Sequence, residues 1–324
     1  MARNTNIVTA NPVGGTAKPA ADPKGRGKGK ALDRNVLQST PGYYARAWRH
    51  LRRDKVSMAA LFMTILLLIF SFGAPVIAAI TGNDYATGNL RNFLSPAFQD
   101  WKYPLGTDAN GRDILTRLAY GGRVSMTVAL LAMVVALFIG GALGAAAGFY
   151  GGVIDAVIMR FVDVIISIPT IALLLLISVW WRPGPVGLAI IIALLGWTGL
   201  SRLIRGEVLS LKNRDFVDAA RVLGATNRSI ITKHIFPNVI SIVIVWASLV
   251  LPGLIIYEAT LSYLGFGVRI PIPSWGNMLD EAYQFLALRA TYAFFPGFLI
   301  FLTALSFNLL GIGLRDALDP RLNN

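Results

Sequence analysis

The chain has 324 residues, 55% of them hydrophobic and only 15% charged, with a formal net charge of +13. A soluble domain carries about 25% charged residues, so an ordinary soluble globule is excluded. The basic residues collect at the ends of apolar runs and in the N-terminal tail, as the positive-inside bias of membrane proteins predicts, which argues against nucleic acid as a partner. The absence of cysteine excludes disulfides and thiolate metal sites. His50 and His234 are too few and too far apart for a histidine metal cluster.

Residues 1–40 are rich in Gly, Pro, Ala and Lys with almost no large apolar side chains. Such a segment cannot bury enough surface to order itself, so a disordered cytoplasmic tail is expected. It has no apolar core of the signal-peptide kind, and no cleaved leader is expected. Gly29-Lys30 is followed by Ala31 rather than Ser or Thr, with no preceding strand, which rules out a phosphate-binding loop.

Residues 41–55 form the next unit. Tyr43 to Lys55 reads as an amphipathic helix with Tyr44, Trp48 and Leu51 on one face and Arg46, Arg49, Arg52 and Arg53 largely on the rest. That pattern suits a helix lying in the cytoplasmic headgroup layer; the alternative is a basic linker that stops the following helix.

Residues 56–324 carry six apolar runs, roughly Val56–Ile80, Val124–Phe149, Ala156–Trp180, Val186–Gly206, Asn238–Leu264 and Thr291–Gly313. Blocks of about twenty apolar residues read as transmembrane helices, so the expected fold is an all-α polytopic membrane protein with six spans. An even number places both termini on one side, and the bias of basic residues makes that side the cytoplasm. The outer segments are then a long one, 81–123, a tight turn, 181–185, and an intermediate one, 265–290. In the long segment Gly106, Asp108, Gly111, Arg112 and Asp113 suggest an ordered, turn-rich cap, and Ile114–Tyr120 reads as a short helix leading into the membrane.

Several constellations have both a functional and a packing reading. Gly140, Gly144 and Gly148 lie four residues apart, a flat stripe where another helix backbone can approach, either in a partner or within this chain. Pro169 and Pro252 interrupt the third and fifth runs and bend them, as shape alone or as hinges. Arg160 and Asp163, one turn apart, can pair. Glu258, with Tyr257 and Ser262 nearby, lies in the outer half of the fifth run. An ionisable group at that depth should face protein or water, so these three are candidates for lining a solute path; a buried pair with a partner subunit is the alternative.

Between the fourth and fifth runs, the segment 207–237 is polar and partly basic. Phe216, Ala219, Ala220 and Leu223 recur at helical spacing, Gly224 ends or bends the helix, and Pro237 marks the start of the next span. This reads as a docking knob rather than a bare charge run. No nucleophile elbow, paired acids near a histidine or nucleotide loop accompanies it, so the chain is not expected to be an enzyme, and any ATPase must be another polypeptide.

Asp218-Ala219-Ala220, then Gly224, then Pro237 thirteen residues later, resembles the Glu-Ala-Ala loop of bacterial ABC importer permeases, with Asp in place of Glu. Other segments agree: Tyr103–Asp108 with Gly111–Asp113, Tyr120–Ser125, Tyr257–Gly265, Pro273–Gly276, Phe307–Leu309, Gly313–Asp316 and Leu318–Arg321. Together they resemble the C-type permease subunit of dipeptide and oligopeptide ABC importers over about residues 41–321. His234 fits the peptide class; Ile312 departs from a frequent Asp.

The resemblance implies a subunit of the bacterial inner membrane with no cofactor of its own. Its partners would be a B-type permease, two ATPase subunits carrying ATP and Mg, and an extracytoplasmic solute-binding protein. It implies ATPase coupling through Phe216, Asp218, Ala219, Ala220, Leu223, Gly224 and Pro237. Small peptides are the expected cargo, with nickel or another small solute as the alternative within the family. An ATP-independent carrier or channel is the alternative outside it, though such carriers commonly show internal repeats and midplane charges.

Overall fold

The computed structural model describes residues 43–181 and 184–318. The tail expected to be disordered and residues 319–321 of the C-terminal motif lie outside them. Helix α1, Tyr43–Arg53, precedes α2, Lys55–Phe72. Asp54 separates them by N-capping α2, accepting from the Val56 and Ser57 amides. The first apolar run breaks at Gly73, and Pro75 opens α3, Ala74–Thr81, where a missing amide costs nothing. After the cap comes α4, Ile114–Tyr150, a single helix of 37 residues. At 1.5 Å per residue it is about 55 Å long, well beyond a hydrocarbon core of about 30 Å. Ile114–Tyr120 is therefore the protruding first turns of α4 and not a separate helix.

The third apolar run is not one helix. It forms α5, Gly152–Ser167, and α6, Thr170–Trp180, bent by 88°. Proline disfavours the helical conformation in the residue before it, and Ile168 is extended at φ −98°, ψ 133°. Pro169 thus breaks the run, whereas Pro252 stays inside α10. The chain continues as α7, Pro185–Leu211; α8, Asp215–Val222; and α9, Asn227–Ile230. Then follow a π-helical turn, Ile231–Ile235; α10, Phe236–Tyr263; α11, Trp275–Tyr283; and α12, Ala290–Leu318. Among the described residues five helices are long and apolar enough to cross a membrane, and the α5–α6 pair makes a sixth if counted as one span.

The glycine stripe builds the centre of the bundle. A Cβ on Gly140, Gly144 or Gly148 would lie 2.7, 2.5 or 2.8 Å from the carbonyl oxygens of Trp197, Ser201 and Arg205. Both series advance by four residues, so α4 and α7 run parallel with their backbones in contact, and the stripe is filled within this chain. Cores of Val128, Ala132, Leu188, Ile192 and Leu254 continue from this seam. Asp163 pairs with Arg202 at 2.5 Å, not with Arg160 as the spacing suggested. Asp155 likewise pairs with Arg205, its Oδ2 2.6 Å from Nη2, so α5 is pinned to α7 twice.

Since α4 and α7 are parallel, the cap before α4 and the α8 turn after α7 occupy opposite ends of the bundle. At the α8 end, Ala47 and Leu51 of α1 pack on Ala317 and Leu318 of α12. Trp48 is on the open side with the Arg52 guanidinium 4.8 Å above its ring. The seat of α1 is therefore an Ala47–Leu51 stripe; Trp48 belongs to the outer face, and the Tyr44 side chain lies outside the described residues.

Candidate functional site

Three arrangements carry chemistry, and the first is the α8 turn. Arg214 precedes α8, and Val217 and Ala220 are buried against Leu211, Ile230 and Val239. Gly224, at φ +80°, adopts the left-handed conformation that ends the helix. Its amide donates to the Arg221 carbonyl at 2.9 Å and the next amide, of Ala225, to the Ala220 carbonyl at 3.0 Å. This closes the helix end with the paired bonds of a Schellman motif. Thr226 then N-caps α9, and Pro237 sits in the first turn of α10.

The expected Phe216/Ala219/Ala220/Leu223 face is split by this geometry. Ala220 points inward with Val217, while Phe216, Ala219 and Leu223 face out, joined by Val222, which sequence spacing did not single out. Val222 and Leu223 are each 87% exposed, and Phe216 is 42% exposed with its ring 6.5 Å from His234. Asp218 is also on the surface, 3.1 Å from Arg221. The α8 turn thus offers a small apolar patch edged by Arg214, Arg221 and Arg228.

The second arrangement is the cap. Thr107 bridges to Asp113, and the Asp108 amide donates to the Arg112 carbonyl at 3.0 Å. Gly106 and Gly111 have φ of +81° and +70°, and a Cβ on Gly111 would fall 1.9 Å from the Asn89 carbonyl oxygen. Both glycines are required by conformation and by space. Asp113 N-caps α4 by accepting from the Leu115 and Thr116 amides.

Asp108 is fully buried. Its Oδ1 accepts from the Asn110 and Arg112 amides, and its Oδ2 lies 2.6 Å from Arg112 Nε and 3.3 Å from Arg117 Nε. Arg112 and Arg117 also reach Glu281 of α11, at 2.8 and 2.9 Å, and the Tyr292 hydroxyl of α12 donates to the same carboxylate oxygen at 2.9 Å. Burial disfavours the Arg112 charge, but Asp108 and Glu281 more than offset it and hold the guanidinium above its ordinary range. Arg117, Glu281 and Tyr292 escaped the sequence reading. The available signal was a lone arginine in the otherwise apolar first turns of α4, which needs a partner.

The third arrangement lies beneath the cap, where three distant motifs meet. Trp275 is fully buried; its indole N–H donates to the Leu118 carbonyl at 2.9 Å and its amide to Ser125 Oγ at 3.2 Å. Gly122 lies under its ring, where a Cβ would approach to 2.6 Å. Gly276 rests on α10, with room for no Cβ against the Ala259 carbonyl. Ser274 and Asn277 form a capping box at the start of α11.

Glu258 is fully buried in this junction, accepting from Ser262 Oγ at 2.7 Å, and the Ser125 and Ser274 hydroxyls face the same carboxylate. Glu258 and Ser262, expected along a solute path, present no surface to a solute in this conformation because α11 folds back over them; Tyr257 is half-buried. The sequence stopped at the depth of the charge, since what covers it comes from α4 and α11.

The chain matches two family profiles: the binding-protein-dependent transport system inner membrane component over residues 140–324, and the N-terminal TM domain of oligopeptide transport permease C over residues 42–96. It is 39% identical over 275 residues to the oligopeptide transport system permease protein OppC of Haemophilus influenzae, covering 85% of this chain and 88% of that protein. To the dipeptide transport system permease protein DppC of Bacillus subtilis it is 35% identical over 291 residues, covering 89% of each. Among solved structures, an inward-facing form of the MetNI methionine ABC transporter superposes with a TM-score of 0.52 at 19% identity. That alignment covers 62% of this chain and 96% of the other, a likeness of fold. With its apolar spans, this chain belongs to the inner-membrane component family of binding-protein-dependent transport systems and is a permease subunit of the ABC importer type.

Proposed function

We propose that this subunit forms part of the path for small peptides and is driven by ATP hydrolysed on two separate ATPase subunits. A B-type permease would supply the rest of the path, and an extracytoplasmic binding protein the cargo. The observation that carries the coupling role is α8. A rigid, Schellman-capped helix holds two aliphatic side chains almost wholly in solvent at a basic end of the bundle. Exposed aliphatics on a fixed knob are suited to a groove in a partner, and on this reading that end is the cytoplasmic one and both termini are cytoplasmic. The cap then lies outside, where it receives the binding protein or seals the entrance. The relatives named for oligopeptide and dipeptide transport support a peptide cargo.

The test is ATP-driven uptake of a labelled dipeptide and tetrapeptide by the assembled complex in vesicles. Gly224→Asp should leave the subunit in the membrane and uncouple ATP hydrolysis from uptake. Normal uptake by that variant would refute the docking role. Orientation is tested separately in this cysteine-free chain. A cysteine at the exposed Asn110 should react with an impermeant thiol reagent from outside, and one at Val222 only from inside; the reverse pattern would invert the topology.

A further inference from the structure

A groove of about 590 Å³ runs along α10 between α7 and α12. Leu203, Trp246, Leu249 and Val250 make its walls, Ser241 adds one hydroxyl, and Arg315 stands at one end. From Ser241 to Val250 it follows α10 for about 14 Å at 1.5 Å per residue. It therefore reaches from the bundle end that holds α1 and the last turn of α12 toward mid-span.

That end is basic. Val245 and Leu318, which line the groove, belong to the cluster in which Ala47 and Leu51 seat α1. This seating turns the exposed Arg46, Arg49, Arg52 and Arg53 outward along the same end. Arg315 is itself exposed, with the carboxylate of its chain neighbour Asp316 the nearest acidic group in sequence. An apolar slot inside a membrane span, with the Arg315 guanidinium at its headgroup-level end and further arginines along the same face, has the polarity profile of an anionic phospholipid. A second groove of about 560 Å³, between α4, α7 and α10, has only apolar and glycine lining and offers nothing to hold a headgroup.

We propose that the α7–α10–α12 groove binds an anionic phospholipid, one acyl chain lying along α10 and the phosphate held by Arg315, in the positive field of the arginine row of α1. The bound lipid fixes α1 against the end of α12, so the amphipathic helix is anchored through the bundle as well as through the headgroup layer. Lipid binding at this groove is independent of the cargo.

The experiment uses the assembled transporter in nanodiscs of mixed phosphatidylglycerol and phosphatidylcholine. After mild-detergent washing, retained lipid is measured by mass spectrometry. Phosphatidylglycerol should be enriched several-fold over its bulk fraction. Arg315→Gln should reduce that enrichment about fivefold, the effect of one basic residue at a membrane surface, and Arg315→Lys should keep it. Leu249→Trp, which fills the slot, should lower retention of both lipids. A cysteine at Ser241 should stay unreactive toward a charged thiol reagent while lipid is bound. Absence of enrichment, or enrichment unchanged in both Arg315→Gln and Leu249→Trp, overturns the proposal. Rapid labelling at Ser241 also overturns it, since the groove would then be a water-filled stretch of the solute path. Cargo uptake is not part of the readout, so these outcomes stand apart from the peptide assignment.

Discussion

The cap and the α8 turn sit at opposite ends of one bundle and are finished in opposite ways. The cap closes on itself: two carboxylates, two guanidinium groups and a phenol from the cap loop, α4, α11 and α12 pair with one another largely out of water. The α8 turn closes only its backbone, through the Gly224 cap, and leaves Val222 and Leu223 in solvent. The contrast separates a structure complete within the chain from one that leaves an apolar patch uncovered. Buried charges tolerate no missing partner, whereas an exposed aliphatic patch remains soluble only while it is small.

Changes at the two ends should therefore differ in kind. The largest loss of stability is expected for Arg117→Ala. It leaves Asp108 and Glu281 facing each other with one guanidinium fewer, at a cost of about 3–5 kcal/mol. Thermal unfolding of the purified subunit reads this, and an unchanged midpoint would show that the cap is not held by its charges.

Gly144→Val comes next, since its Cβ starts 2.5 Å from the Ser201 carbonyl oxygen. Forcing α4 from α7 should cost about 1–3 kcal/mol, seen in the same melt. A neutral result would mean the seam relaxes freely.

Asp113→Ala removes the N-cap of α4 and should cost about 1 kcal/mol, lowering hydrogen-exchange protection in the first turn of α4 while α8 keeps its own. At the far end Leu223→Asp should change stability by no more than about 0.5 kcal/mol. Yet it should reduce co-purification of the ATPase subunits about tenfold or more, the scale of an interface hot spot. Full ATPase recovery would erase the contrast between the two ends.

Local signals were strong where one segment decides its own state. Apolar blocks located the membrane helices, Gly224 and Pro237 placed the end of α8 and the start of α10, and the turn formers from Gly106 to Asp113 marked an ordered cap. Proline at 169 announced a bend, but its size was hidden: whether a freed helix tilts slightly or turns by 88° depends on what α6 packs against. The split of the α8 face was hidden for a related reason. Helical spacing gives the stripe, but which part of it faces the bundle is set by α7, α9 and α10.

By itself the sequence determined an all-helical membrane chain, the position of the α8 turn and the family to which it belongs. Those features rest on hydrophobic length, backbone conformation and short motifs, each local in the chain. The tertiary structure alone decided who meets whom. It filled the glycine stripe with α7 rather than a partner, gave Asp163 to Arg202, and brought Asp108 and Glu281, 173 residues apart, onto the same two guanidinium groups. It also enclosed Glu258 under α11. Close approach and charge neutralisation are properties of pairs of elements, and the free energy of each pair exists only once both are in place.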